Sequence, residues 1–192
     1  MHQERGVVMV EMAIVVPIFV LLLFGMLEFG LAFKDKLAMT HAVTRASRDA
    51  AVLGNEDIAD IEILRAFEDG LVGAASIDSV VHVDIFKADS DGSPIVWDRY
   101  VPDADGVPCD WDPCPDPAIV GSVVYGNPAD YPPCIRDTAF DPTDGLDTIG
   151  VQVEYTHTWV TGVLGLPAQT WNETARARLE PDLSGTGSTP CS

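Results

Sequence analysis

The run from Val7 to Phe33 constrains this chain more than any other segment. It holds twenty-seven residues, of which only Glu11 and Glu28 are charged, and Met12 to Leu27 carries no charge at all. As a helix rising about 1.5 Å per residue it extends roughly 40 Å, enough to cross a hydrocarbon layer of about 30 Å. A cleaved secretory signal is the competing reading, but such signals have an apolar stretch of about 7–15 residues ending at a small-x-small site. Here the apolar run is longer and leads straight into more helical sequence, which predicts a membrane helix over residues 7–33.

Helical character continues past that run. Lys34 to Leu53 contains no proline or glycine, and Ala38, Ala42, Ala46 and Ala50 recur every four residues. That spacing lays a smooth alanine stripe on one face, flanked by Val43 and Leu53. Gly54 reads as the stop. The expectation is one helix from Val7 to Leu53, about 70 Å long, half in lipid and half packed on a domain.

The remaining chain supplies one modest domain. A second helix is expected over Asp57–Leu71, with Ile58, Ile61, Leu64, Phe67 and Leu71 on one face and Glu56, Asp57 and Asp60 at its positive end. Val81, Val83 and Ile85 alternate with His82, Asp84 and Phe86, and Asp91-Gly92 makes a turn before Ile95-Val96-Trp97, so a hairpin is expected. Residues 101–148 are rich in proline, aspartate and glycine and read as an insertion tied down by cysteines. Strands are expected over Ile149–Val160, with Val151, Val153, Tyr155, His157 and Trp159 on one face, and over Thr170–Leu179. Residues 181–192 read as a disordered tail. The fold class is therefore α+β: a long N-terminal transmembrane helix packed on a small antiparallel sheet with a second helix, the domain covering residues 34–180.

Eleven lysines and arginines stand against thirty aspartates and glutamates, for a net charge of −19. Between Asp89 and Asp147 thirteen aspartates face only Arg99 and Arg136, and no lysine follows Lys87. Such a balance excludes nucleic acid as a partner and argues against docking on anionic headgroups. The four cysteines, Cys109, Cys114, Cys134 and Cys191, all lie beyond the apolar run. An even number in an aspartate- and proline-rich region suggests disulfides in an oxidising compartment. Three pairings are open, of which Cys109 with Cys114 is the most local.

The informative motif is Gly6-Val7-Val8-Met9-Val10-Glu11: a short polar leader with Arg5 ends in glycine, and a lone glutamate is fifth among the apolar residues that follow. In this the chain resembles type IV pilins and pseudopilins, and most closely the TadE-like pilus-assembly proteins. The resemblance extends over Val10-Glu11-Met12-Ala13 to Pro17 and over Gly25-x2-Glu28-Phe29-Gly30. Near the C-terminus, Val151-Gln152-Val153-Glu154-Tyr155 followed by Thr174-Ala175-Arg176-Ala177-Arg178-Leu179-Glu180-Pro181 is similar to the family's closing strand. It implies cleavage by a membrane-embedded prepilin peptidase between Gly6 and Val7, residues 1–6 being the leader and Glu11 becoming the fifth residue of the mature chain. Met12 stands where the small pilins of the same system usually carry tyrosine, which implies a minor component of a tight-adherence (Flp-type) pilus. Its partners would be the membrane, other pilins and pseudopilins, and the prepilin peptidase.

Physics gives Glu11 a role of its own. A carboxylate in a bilayer-spanning helix costs about 2.5–3.5 kcal/mol at mid-depth unless it finds a partner. Cleavage after Gly6 would create an amine on Val7, a natural cation for a neighbouring subunit's Glu11; the alternative is that Glu11 snorkels to water. Pro17 has no amide proton and leaves the carbonyl of Ala13 unpaired, which predicts a bend. Lys34, Lys36, Arg45 and Arg48 outnumber Arg5 and lean toward a cytoplasmic domain, whereas the cysteines and the resemblance point to a domain outside the bacterial cytoplasmic membrane, the orientation adopted.

Catalysis finds no constellation. The histidines His2, His41, His82 and His157 are scattered, and no Gly-x-Ser-x-Gly elbow exists. His82 and His157 could meet across two strands, and Asp89-Ser90-Asp91-Gly92, Asp103-Ala104-Asp105-Gly106 and Asp110-Trp111-Asp112 offer calcium-type oxygens without the full twelve-residue loop. The expectation is a structural protein, not an enzyme, without a cofactor or metal. The alternative is an uncleaved, membrane-anchored extracytoplasmic domain that binds a partner or calcium.

Overall fold

A computed structural model describes residues 3–71, 75–120, 131–138, 145–162 and 165–181, with side chains from Val8 onward and omitting that of Val120. The first helix, α1, runs without interruption from Gln3 to Leu53, through Pro17, a length of about 75 Å. It starts before the expected Val7 and ends where expected. Gly54 closes it at φ +56°, donating to the carbonyl of Ala50, the left-handed terminus that a residue without Cβ adopts freely. The backbone N–H of Glu180 takes the carbonyl of Ala51, so the end of the last strand caps the helix.

Helix α2 spans Ala59–Leu71, starting two residues later than predicted. Ile61, Leu64, Phe67 and Leu71 are buried as their spacing requires, but Ile58 precedes the helix and is exposed, and Ile63 supplies the missing core contact. The alanine stripe of α1 is fully buried against it: Ala42, Ala46 and Ala50 have no solvent exposure. At the crossing, a Cβ added to Gly70 would lie 2.6 Å from Cα of Ala42. The two backbones touch there because neither residue has bulk to hold them apart.

Five antiparallel strands form one sheet: β1 (Val80–Ala88), β2 (Pro94–Pro102), β3 (Trp111–Asp112), β4 (Thr148–His157) and β5 (Gln169–Arg178), in the order β3-β2-β1-β4-β5. The β1–β2 hairpin is the one expected. Its turn is held by the Asp89 and Asp91 carboxylates, which accept the backbone N–H groups of Asp91 and Ser93. One detail departs from simple alternation. A register shift between Val80 and His82 puts Val80 in the core with Val83 and Ile85, and leaves Val81 40% exposed. The opposite face is covered too: Arg99 makes a two-pronged pair with Asp84 at 2.7 and 2.8 Å, and the Phe86 ring lies over Gly150, where an added Cβ would meet it at 2.1 Å.

The prolines and aspartates of the insertion do not form a separate appendage. Trp111, Tyr131, Cys114 and Cys134 are buried, and Trp111 and Tyr131 join the central core with α1, α2 and the sheet. Arg136, wholly buried, pairs with Asp60 of α2, which also accepts the hydroxyl of Tyr100 at 2.6 Å. Cys109 and Cys114 form a disulfide, and Cys134 is also disulfide-bonded. Cys191 and the tail from residue 182 lie outside the described residues, whereas Glu180 is ordered on α1.

Candidate functional site

The stem of α1 divides sharply at Glu28. From Val8 to Leu27, twenty residues, no side chain is buried; Glu28 is the first that is, and Ala32, Ala38, Met39, Ala42 and Val43 follow it on the domain-facing side. At about 1.5 Å per residue the bare segment measures roughly 30 Å, the thickness of a bilayer's hydrocarbon. Among the described residues this is the one helix long and apolar enough to cross a membrane.

Glu11 lies on this bare surface, exposed and without a partner among the described residues. Gly25 and Gly30 leave open space where a Cβ would sit, so the isolated chain does not use them for packing. Gly6 and Val7 fall within the backbone of α1, with no break between them, and Pro17 lies inside the helix.

Glu28 behaves differently from Glu11. Its carboxylate accepts the backbone N–H of Val160 at 3.0 Å, the backbone N–H of Thr161, and the hydroxyl of Thr161 at 2.5 Å. The loop after β4 is thereby clasped to the helix where the helix enters the domain. Above the clasp an aromatic stack rises into the sheet: Phe29 meets Trp159 edge-on at 5.9 Å, Trp159 meets His157 at 5.0 Å, and His157 lies flat on Trp171 at 5.4 Å. Nδ1 of the buried His157 lies 2.7 Å from Asp35 of α1, a second tie between stem and sheet.

These partners escaped the reading of the sequence. Trp159 shares the face of His157 as the alternation required, yet it lies two residues beyond the end of β4. His82 and His157 do not meet: His82 pairs across the sheet with Glu154 and reaches Asp84 at 3.5 Å, while His157 pairs with Gln169. The Asp103 and Asp110 segment closes on itself, with Asp105 N–H on the Asp103 carboxylate and Asp103 N–H on the Asp110 carbonyl. No grouping of three or more metal-ligating side chains occurs among the described residues.

One family description fits this stem. The sequence model of TadE-like proteins matches residues 6–48, which takes in Gly6, Val7, Glu11, Pro17 and Glu28 and stops before the end of α1. The C-terminal strand lies outside the match. No curated protein and no solved structure matches the chain.

Proposed function

We propose that this TadE-like protein is a structural minor pseudopilin of a tight-adherence (Flp-type) pilus, held in the bacterial cytoplasmic membrane by α1 with its α+β domain outside the cytoplasm. The observation that carries the reading is the bare apolar stem with Glu11 exposed and, among the described residues, unpartnered, inside the segment that matches the family. A helix surface of this kind finds stable surroundings in lipid or against other such helices. The disulfides at Cys109, Cys114 and Cys134 suit an oxidising compartment, in keeping with an extracytoplasmic domain.

In this reading a prepilin peptidase cuts between Gly6 and Val7. The new amine of Val7 then stands four residues before Glu11, and a neighbouring pilin's carboxylate can neutralise it. The role is one of assembly, without catalysis or a cofactor. N-terminal sequencing of protein from membranes tests it: the mature chain begins at Val7 when the matching peptidase is present, and Gly6→Leu blocks the cut. An intact Met1 in peptidase-positive cells overturns the pseudopilin reading and leaves the uncleaved anchor.

A further inference from the structure

The chain from Thr158 to Ala168 contains no charged residue in a protein of net charge −19. Within it Val160 is 71% exposed and Leu166 42%, and Trp159 is half-buried. Solitary exposed apolar residues need no explanation. These are grouped at one place, fastened by Glu28 to the level of the stem where the bare apolar segment ends.

The described residues of the loop are also hydrogen-bonded within the protein. Glu28 takes the N–H groups of Val160 and Thr161 and the hydroxyl of Thr161. The indole N–H of Trp159 donates to the carbonyl of Pro167 at 2.8 Å, and the N–H of Gly165 to that of Gly162 at 3.0 Å. Water would satisfy such groups on an ordinary exposed loop. Internal satisfaction matters where water is scarce, since an unpaired polar group there costs several kcal/mol.

We infer that the β4–β5 loop is a second membrane contact, in which Trp159, Val160 and Leu166 rest in the interfacial layer of the same bilayer that α1 crosses. The inference rests on the reading of α1 as a membrane anchor. If Val8–Leu27 fill the hydrocarbon, Glu28 to Phe33 and the clasped loop fall in the headgroup region, where tryptophan is favoured over either bulk phase. Phe29 and Phe33, both exposed on the stem, complete the apolar collar, and exposed Lys34 stands next to it, positioned for lipid phosphate. Zwitterionic lipid suffices, because the loop itself carries no charge. Glu28 then does not pay the penalty of an ion in lipid, for its oxygens are occupied by the loop that accompanies it.

Nitroxide labels on the full chain in phosphatidylcholine vesicles test this. Val160→Cys and Leu166→Cys report the loop, Leu23→Cys the stem, and Val52→Cys the exposed far end of α1; the described residues contain no free cysteine to compete. Collision with oxygen relative to a water-soluble nickel chelate is expected to be several-fold higher at 160 and 166 than at 52, and highest at 23. Loop labels that collide with nickel as freely as the label at 52, while 23 reads lipid, overturn the inference and leave the anchor standing. Loop labels shielded from both reagents mean a protein neighbour covers the loop, and overturn it equally. A water-exposed label at 23 removes the anchor and the inference together.

Discussion

Glu28 and Thr161 lie 133 residues apart in the chain, yet one carboxylate oxygen of Glu28 receives both the backbone N–H and the hydroxyl of Thr161. Of the two glutamates in the apolar run, this one is spoken for within the monomer, and Glu11 has no partner among the described residues. Glu28 is buried where the domain begins; Glu11 is presented to whatever surrounds the stem. The two should therefore fail differently when mutated.

Glu28→Ala would strip acceptors from Val160 and Thr161 at the clasp. Leaving such donors unpaired costs about 1–3 kcal/mol, most of it local to the loop. Amide exchange at Val160 and Thr161 is expected to quicken while exchange in β1 and β4 stays slow. Glu28→Gln should fall between, because one accepting oxygen becomes a donor facing an N–H group. Unchanged protection in both variants would mean the clasp contributes nothing.

Glu11→Ala should leave the fold and the membrane level intact, since Glu11 is exposed and has no partner among the described residues of the domain. Its insertion should be as good as wild type or better, a carboxylate having been removed from the apolar stem. What it should lose is co-assembly with other pilins. Membrane level and surface pili, measured together in cells lacking the native copy, separate the possibilities. Normal piliation would show that Glu11 snorkels to water.

Arg136 and Asp60 should be far less forgiving. Both are buried, and Arg136→Ala removes the guanidinium that faces the buried Asp60 carboxylate, which keeps the hydrogen bond from the Tyr100 hydroxyl but loses its countercharge. Breaking a buried pair from one side costs about 3–5 kcal/mol. The double variant Arg136→Met with Asp60→Asn should recover part of that loss, as read by urea midpoint. A single variant as stable as wild type would mean the insertion is not pinned through this pair.

Glu68, half-buried, has its carboxyl pushed above the usual range by burial, against the opposing hydrogen bond from the Trp111 indole. A carboxyl that holds its proton more tightly when folded favours folding while protonated, and that contribution is lost as pH rises through its folded titration. Glu68→Gln cannot ionise and still offers Trp111 an acceptor. The stability of the variant relative to wild type should therefore grow as pH rises from acid to neutral. A flat difference between the two denaturation curves across that range would reject the assignment.

Much of this architecture could be read from local pattern. The alanine spacing of α1, the face of α2 from Ile61 to Leu71 and the alternation in β4 each report a periodicity imposed by one packed surface, Gly54 reports a left-handed helix end, and each appears in the structure. Patterns fail where two distant segments set the outcome. The register shift beside Val81 depends on the pairing of β1 with β4, not on β1 alone. Likewise the insertion read only as a segment tied down by cysteines, because its buried arginine and tryptophan find their polar partners, Asp60 and Glu68, on the distant α2, and Tyr131 finds Asp147 sixteen residues on. The stem residues Gly6, Val7 and Glu11 stood out because a charge in an apolar run is visible locally. The Glu28 clasp was invisible: nothing near Thr161 marks it as the partner of a helix 133 residues earlier.

The unbroken course of α1 has a mechanical consequence. Torsion passes along a continuous helix, so its bare half and the half buried under the alanine stripe form a single shaft, with the clasp as a collar where the domain begins. Each residue advances the azimuth by about 100°, and the phase between Glu11 and Ala42 is fixed by the thirty-one residues separating them. A neighbour that grips the stem from one direction thereby sets the compass bearing in which the sheet faces outward, without touching the domain at all.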